Sequence, residues 1–207
     1  MADRPDVPAS IDSRQSAIGN RFVSRSGEKL DAALAHFGLD VSGRLCADLG
    51  SHVGGFVDCL LRRGAAKVYA IDTAYGILAW KLRKDSRVVI RERTNAMHVT
   101  LPEPVDLVTI DVGWTPQARI MPNVSRMLAP PGQVVTLIKP HYEALPDQLS
   151  AGVLPDDRVE VVVRRVLEEV AGLGWRIEGV HPSPIRGHGG NCEMFALLRR
   201  ERPPSDR

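Results

Sequence analysis

Apolar positions recur along this chain in two alternating rhythms. In GEKLDAALAHFG (27–38), Leu30, Ala33, Leu34 and Phe37 fall at the three- and four-residue spacing of a helix with one buried face, and Gly38 closes it. RLCADL (44–49) is a short apolar run leading into glycines, the pattern of a buried strand. The alternation then repeats. FVDCLLRRG (56–64) predicts a helix, KVYAI (67–71) a strand ending at Asp72, residues 77–84 a short helix and RVVI (87–90) a third strand. VDLVTI (105–110) predicts a strand ending at Asp111, and residues 117–128 a helix stopped by Pro130-Pro131-Gly132. QVVTLI (133–138) follows as a fifth strand that ends at Lys139-Pro140. Residues 156–173 carry the longest helical pattern. Trp175 to Val180 and Cys192 to Leu198 close the chain as an antiparallel pair of strands, joined by the proline- and glycine-rich PSPIRGHGGN.

Strands separated by single helices imply βαβ units and a mostly parallel sheet. The first two strands are almost continuously apolar, as strands are when helices cover both faces of a sheet. The expected fold is therefore α/β, with a mostly parallel, seven-stranded sheet that includes an antiparallel C-terminal pair. Neither an internal repeat nor a second domain is visible. The expected organisation is a disordered tail over 1–20, one domain over 21–200 and a polar tail over 201–207.

Composition narrows the function classes. The chain has 207 residues and an apolar fraction of 43%, enough for a real core. No apolar run approaches the ~20 residues that span a bilayer. The first residues, MADRPDVPASIDSRQS, hold no apolar stretch of the secretory kind, so a cytoplasmic location without membrane contact is expected. Three cysteines are too few and too odd for a disulfide framework. Cys46 and Cys59 lie in apolar runs and are expected in the core. His181, His188 and Cys192 match no zinc-ligand spacing, and no metal site is expected. A net charge of +2 does not by itself call for nucleic acid. Charge is uneven, however: Lys81, Arg83, Lys84, Arg87, Arg91 and Arg93 crowd one segment against only Asp85 and Glu92. That segment is either a solvated face or a surface that meets phosphates.

Chemistry concentrates where strands end. The first strand runs into DLGSHVGGF (48–56), a glycine-rich turn that lets a ligand approach the backbone before a helix N-terminus. Asp72 ends the next strand, where a carboxylate can hold both hydroxyls of a ribose. The plain alternatives are a tight turn and a helix-capping carboxylate. Asp111 and Lys139 end the fourth and fifth strands. If those strands are neighbours, the two side chains lie ~5 Å apart at the edge where open parallel sheets bind ligands. They are then either catalytic or a structural ion pair.

Eight stretches stand out in order: FVSRSGEKLDAAL (22–34), DLGSHVGGFVDCLL (48–61), VYAID (68–72), AWKLR (79–83), ERTNA (92–96), PVDLVTID (104–111), LIKPHYE (137–143) and SPIRGHGGNCE (183–193). On these the chain resembles the FtsJ-like methyltransferase domain of the TlyA, or haemolysin A, family of ribosomal RNA 2′-O-methyltransferases. The resemblance implies a Rossmann-like class I methyltransferase, S-adenosylmethionine as donor, and transfer to a ribose 2′-hydroxyl of RNA, ribosomal RNA first. The family's Lys-Asp-Lys-Glu tetrad falls on Lys29, Asp111, Lys139 and Glu193. Alone, Lys29 would read as a surface helix lysine and Glu193 as a solvent-facing strand residue. The resemblance makes Lys139 the general base. Such an amine works unprotonated, a form that burial and a second cation favour. Asp111 and Glu193 then orient the amines and the hydroxyl. Asp48, Gly50, Ser51, Gly54, Gly55 and Phe56 are expected around the donor, Asp72 on its ribose and Asn95 near its adenine. Tyr75 and Trp80 share the family pattern, and Trp80 is read as a packing residue rather than one that stacks on RNA.

Three departures qualify the resemblance. The family carries an N-terminal S4 RNA-binding domain where this sequence has about 20 polar residues. RNA affinity is then expected from the catalytic domain, a separate RNA-binding partner or a homo-oligomer. The family's IDVSF loop is here IDVGWTP (110–116), placed to touch the target nucleotide. The stretch after KPHYE is ALPDQLSAGVLPDD (144–157), acidic where the family is basic. The competing expectations are a non-catalytic RNA- or ribosome-binding protein that keeps the fold, and a methyltransferase for a non-ribosomal substrate. A membrane-lytic protein lacks any spanning or strongly basic amphipathic segment to support it.

Overall fold

The computed structural model describes residues 21–200; the two expected tails lie outside them. The chain runs α1 (Arg25–His36), β1 (Leu45–Leu49), α2 (Gly55–Arg62), β2 (Lys67–Ile71), α3 (Trp80–Arg83), β3 (Val88–Arg91) and β4 (Val105–Ile110). It continues through α4 (Gln117–Met127), β5 (Leu128–Ile138), α5 (Pro140–Glu143), α6 (Asp156–Gly172), β6 (Trp175–Pro182) and β7 (Met194–Arg200). The strands form one seven-stranded sheet in the order β3-β2-β1-β4-β5-β7-β6. β1 to β5 pair in parallel, and β7 inserts antiparallel between β5 and β6. The expected architecture is the observed one.

The period-two alternation of strands divides the interior into two layers. Cys46 on β1, Leu107 on β4 and Val135 on β5 face Leu30, Leu34, Phe56 and Leu60 of α1 and α2. Their neighbours Ala47, Val108 and Val134 face Ile120, Val124, Val163 and Val166 of α4 and α6. Both faces of the central strands are thus covered, which is why β1 reads as a continuous apolar run. The chain winds outward from β1 to β3 and then returns to β4 on the other side of β1. That reversal opens a crevice beyond the carboxyl ends of β1 and β4.

Four local features differ from expectation. β5 starts at Leu128, through the prolines that end α4. Leu128 pairs with Val105 and Gln133 with Leu107, so Pro130 and Pro131 fall in the irregular stretch between the two ladders, where a missing N–H breaks no ladder bond. α3 is only one turn, Trp80–Arg83, because Ala79 is extended (φ −56°, ψ 136°) and starts the helix late; its N–H donates to the carbonyl of Val53 (3.1 Å). Trp80 itself is not a packing residue: it is 70% exposed, while Leu78 and Leu82 bury the other side of the segment. Glu193 falls just before β7 and is buried, not solvent-facing.

Candidate active site

A cavity of about 660 Å³ occupies the crevice, at the upper-middle of the range for small-molecule sites. Its wall begins with the glycine turn after β1. Gly50 has φ +90°, and a Cβ there would sit 2.5 Å from the carbonyl oxygen of Asp111, so only glycine lets β1 and β4 close at this point. Gly54, at φ +100°, faces Leu82, whose methyl would be 2.2 Å from an added Cβ. Gly55 lets the start of α1 approach α2: its Cβ would meet Ser26 Oγ at 1.9 Å. Gly50, Ser51 and Phe56 therefore line the cavity, whereas Gly54 and Gly55 shape it from behind.

Asp72 joins the glycine turn to the end of β2. Its Oδ2 accepts the N–H of His52 (2.7 Å), a residue held in the left-handed region at φ +46°, and its Oδ1 accepts the N–H of Ala74 (2.8 Å). A carboxylate has about four acceptor sites, so two remain for ligand hydroxyls. Asn95 lines the same wall, its Oδ1 accepting Met97 N–H at 2.9 Å. Asp48 lies deeper. It is fully buried; Oδ1 accepts the Thr109 hydroxyl at 2.7 Å, and Oδ2 has no partner. Burial pushes its carboxyl up to about 8; the Thr109 bond opposes this, and the charges of Asp111 and Asp72 add to it.

Two ion pairs occupy the other end. Lys139 Nζ lies 2.6 Å from Asp111 Oδ1, across the neighbouring carboxyl ends of β4 and β5. Lys29 Nζ lies 2.5 Å from Glu193 Oε2, joining residues 164 positions apart. Lys29, Asp111 and Lys139 line the cavity directly, and Glu193 reaches it through Lys29. All four side chains are largely buried. The Glu193 carboxylate is backed by Gly187, where a Cβ would stand 2.1 Å from Oε1. The turn bearing Gly187 is tied down in turn. Gly187 N–H donates to Asn191 O (2.9 Å), and Asn191 Oδ1 accepts Leu154 N–H (3.0 Å).

The mouth is formed by the 112–116 turn. Trp114 is 81% exposed, with its ring edge-on to Tyr142 at 5.6 Å. Glu143 anchors this turn: its Oε1 accepts Gln117 N–H (2.8 Å), and Gln117 Oε1 accepts the buried Thr136 hydroxyl (2.6 Å). Burial raises the Glu143 carboxyl above its ordinary value. Gly187 and Glu143 escaped the reading of the sequence. Their only signal there was membership of the SPIRGHGGNCE and LIKPHYE stretches. Among the described residues no group of three or more His, Cys, Asp or Glu is placed to hold a metal. His181 instead stacks on His36 at 3.7 Å, and Cys192 bonds Asp156. No helix among the described residues is long and apolar enough to cross a membrane.

The cavity fits a nucleoside-bearing sulfonium. Phe56, Ile71, Met97 and Ile120 supply apolar wall, and Asp72 offers a carboxylate with acceptor sites to spare. The cradle at Gly50 is one that a Cβ would fill, and the partnerless Asp48 oxygen lies beneath it.

Comparison with known proteins agrees. The 16S/23S rRNA (cytidine-2′-O)-methyltransferase TlyA of Mycobacterium tuberculosis is 42% identical over 190 residues, covering 87% of this chain and 69% of the relative. A crystal structure of a Lactococcus lactis protein described as a hemolysin is 37% identical, with a TM-score of 0.84 over 88% of this chain and 90% of that one. An S-adenosylmethionine-dependent methyltransferase of Mesorhizobium loti, only 20% identical, shares the fold, with a TM-score of 0.62 over 82% of this chain and 96% of that one. The profile of the FtsJ-like methyltransferases matches residues 22–200, essentially every described residue. The chain is a class I, Rossmann-like member of the FtsJ-like methyltransferase family.

Proposed function

We infer that this protein is an S-adenosylmethionine-dependent RNA methyltransferase that modifies a ribose 2′-hydroxyl, with ribosomal RNA as its substrate. The observation that carries this reading is that two lysine–carboxylate pairs, Lys29–Glu193 and Lys139–Asp111, reach the wall of one nucleoside-sized cavity. Bound S-adenosylmethionine would supply an electrophilic methyl group there.

The chain's own residues do the rest. Asp72 holds the donor's ribose hydroxyls, Asn95 faces its adenine, and Gly50, Ser51 and Phe56 close around the remainder. Gly54 and Gly55 shape that turn, and Asp48 supports it from below. Lys139 accepts the proton that the 2′-hydroxyl sheds as its oxygen takes the methyl. Asp111 aims the Lys139 amine and stabilises the ammonium that results. Lys29, fixed by Glu193, donates to the acceptor oxygen and holds it in line. Alignment at close range supplies most of the acceleration, for which effective-molarity effects of about 7–11 kcal/mol are the general ceiling. RNA affinity comes from this domain, from a separate RNA-binding partner or from a homo-oligomer, and the reaction belongs in the cytoplasm.

Incubation with methyl-labelled S-adenosylmethionine and either ribosomal subunits or free RNA tests the reading. Label is expected in RNA with the wild type and not with Lys139→Ala. A wild type that binds RNA but transfers no label would make this a non-catalytic RNA-binding protein, and the reading would fall.

A further inference from the structure

Two exposed aromatic rings stand on one short segment beside the cavity and contribute little to the core. Tyr75 is 67% exposed and Trp80 70%. The segment beneath them is firmly tied. Ala74 O accepts Arg93 N–H (3.2 Å), and Glu92 accepts Gly76 N–H (3.0 Å) and pairs with Arg83. Leu78 and Leu82 anchor it in the core. The rings therefore project from a fixed base, leaving in water a large apolar area that a fold would ordinarily bury.

Each ring carries a cation. Arg93 Cζ lies 4.2 Å from the centroid of Tyr75, and Lys84 Nζ lies 4.9 Å from that of Trp80. Other cations of the 81–93 segment are neutralised locally: Lys81 by Asp58, Arg83 by Glu92 and Arg87 by Asp85. Among the described residues, Lys84, Arg91 and Arg93 have no carboxylate at ion-pair distance, and two of these three sit on the exposed rings. The Tyr75–Arg93 end of the patch adjoins the cavity in the chain: Thr94 follows Arg93, Thr73 stands two positions before Tyr75, and both line the wall. The rings are five residues apart, at most about 18 Å along the chain.

Flat apolar faces interleaved with uncompensated cations match an unpaired polynucleotide, whose bases stack while its phosphates find the cations. A duplex hides its base faces and offers nothing to the rings. We propose that Tyr75–Arg93 and Trp80–Lys84 form a platform on which unpaired nucleotides of the RNA substrate stack beside the methyl-transfer site. The proposal rests on the reading of the protein as an RNA methyltransferase, and it specifies the form of RNA that docks there.

The test is binding of an oligouridine, and of a duplex RNA of equal length, to the full chain, read by tryptophan fluorescence and by titration. The single strand should quench the wild type and Trp114→Phe, which retains Trp80, and should bind Trp80→Ala about tenfold more weakly, with Trp80→Phe recovering most of the loss. S-adenosylmethionine affinity should stay unchanged in both Trp80 variants. Equal affinity of Trp80→Ala and wild type, preference for the duplex, or loss of donor binding together with RNA binding would each overturn the platform. Because binding is measured without turnover, a wild type that stacks RNA but never methylates it would refute the enzymatic reading alone. Methylation with no effect at Trp80 would refute the platform alone.

Discussion

Replacing Gly187 with alanine should disable the enzyme from outside the cavity. The backbone there, φ −74° and ψ −167°, is extended and suits any residue, so the substitution carries no conformational penalty. The whole effect comes from the new methyl, 2.1 Å from Glu193 Oε1 and 2.7 Å from Cδ. Ordinary contact begins near 3.4 Å, so the carboxylate must retreat by more than 1 Å or the 183–193 turn must lift. The turn resists because Gly187 and Asn191 are bonded to each other and Asn191 to Leu154. The Lys29–Glu193 contact of 2.5 Å is then lost. Removing one partner of a buried pair costs about 3–5 kcal/mol, so the lower figure is the upper bound when Glu193 is only displaced. At roughly 2–4 °C per kcal/mol for a chain of this size, a loss of up to about 3 kcal/mol lowers Tm by up to about 6–12 °C. Transfer should fall at least tenfold at saturating donor, since Lys29 is no longer aimed. Thermal melts and methyl transfer on Gly187→Ala, Glu193→Ala and the double variant form the assay. The methyl has no carboxylate to strike once Glu193 is gone, so the two losses must not add. Additive losses, or a fully active and stable Gly187→Ala, would refute the reasoning.

Other expectations follow from the same geometry. Lys139→Ala should abolish methylation and leave S-adenosylmethionine binding by calorimetry nearly unchanged, whereas Asp72→Ala should weaken donor binding first. Glu143→Met keeps the volume but loses the acceptor for Gln117 N–H, so hydrogen exchange of that amide should quicken and turnover drop several-fold; Glu143→Gln should restore both. Asp48 keeps its proton in the folded protein up to about pH 8, but an ordinary carboxyl loses it near 3.8. The unfolded chain therefore binds fewer protons between these values, and wild-type stability falls as pH rises through that window. Asp48→Asn removes the effect, so its melting temperature relative to wild type should climb between about pH 4 and pH 8; parallel profiles would show that Asp48 is already ionised.

Much of the architecture is legible in the chain because strand and helix periods differ so plainly. Asp111 and Lys139 each end an apolar run, so the chain brings them together on the one condition that the two runs are neighbouring strands, and the sheet meets it. Nothing local places Lys29 beside Glu193: the pair spans 164 positions, and only resemblance to a family suggested it. Gly187 and Glu143 were missed for a related reason. Their importance lies in a distance of approach and in one backbone amide, and neither leaves a periodic trace. Trp80 was misread because a one-turn helix has no face for periodicity to define; the burial of Leu78 and Leu82 left it outside. Asp48, Gly54 and Gly55 belong to the glycine motif, yet they stand behind the cavity wall, a distinction of depth that a motif does not encode.

If the two lysine–carboxylate pairs act on a ribose hydroxyl, the methyl group ends on its oxygen. Alkaline hydrolysis of RNA methylated by this protein tests this most directly, because that cleavage needs the 2′-hydroxyl as nucleophile. The label is expected to survive in an alkali-resistant dinucleotide and to be released as a 2′-O-methylnucleoside on enzymatic digestion. Label recovered in alkali-released mononucleotides, on the base, would contradict ribose methylation.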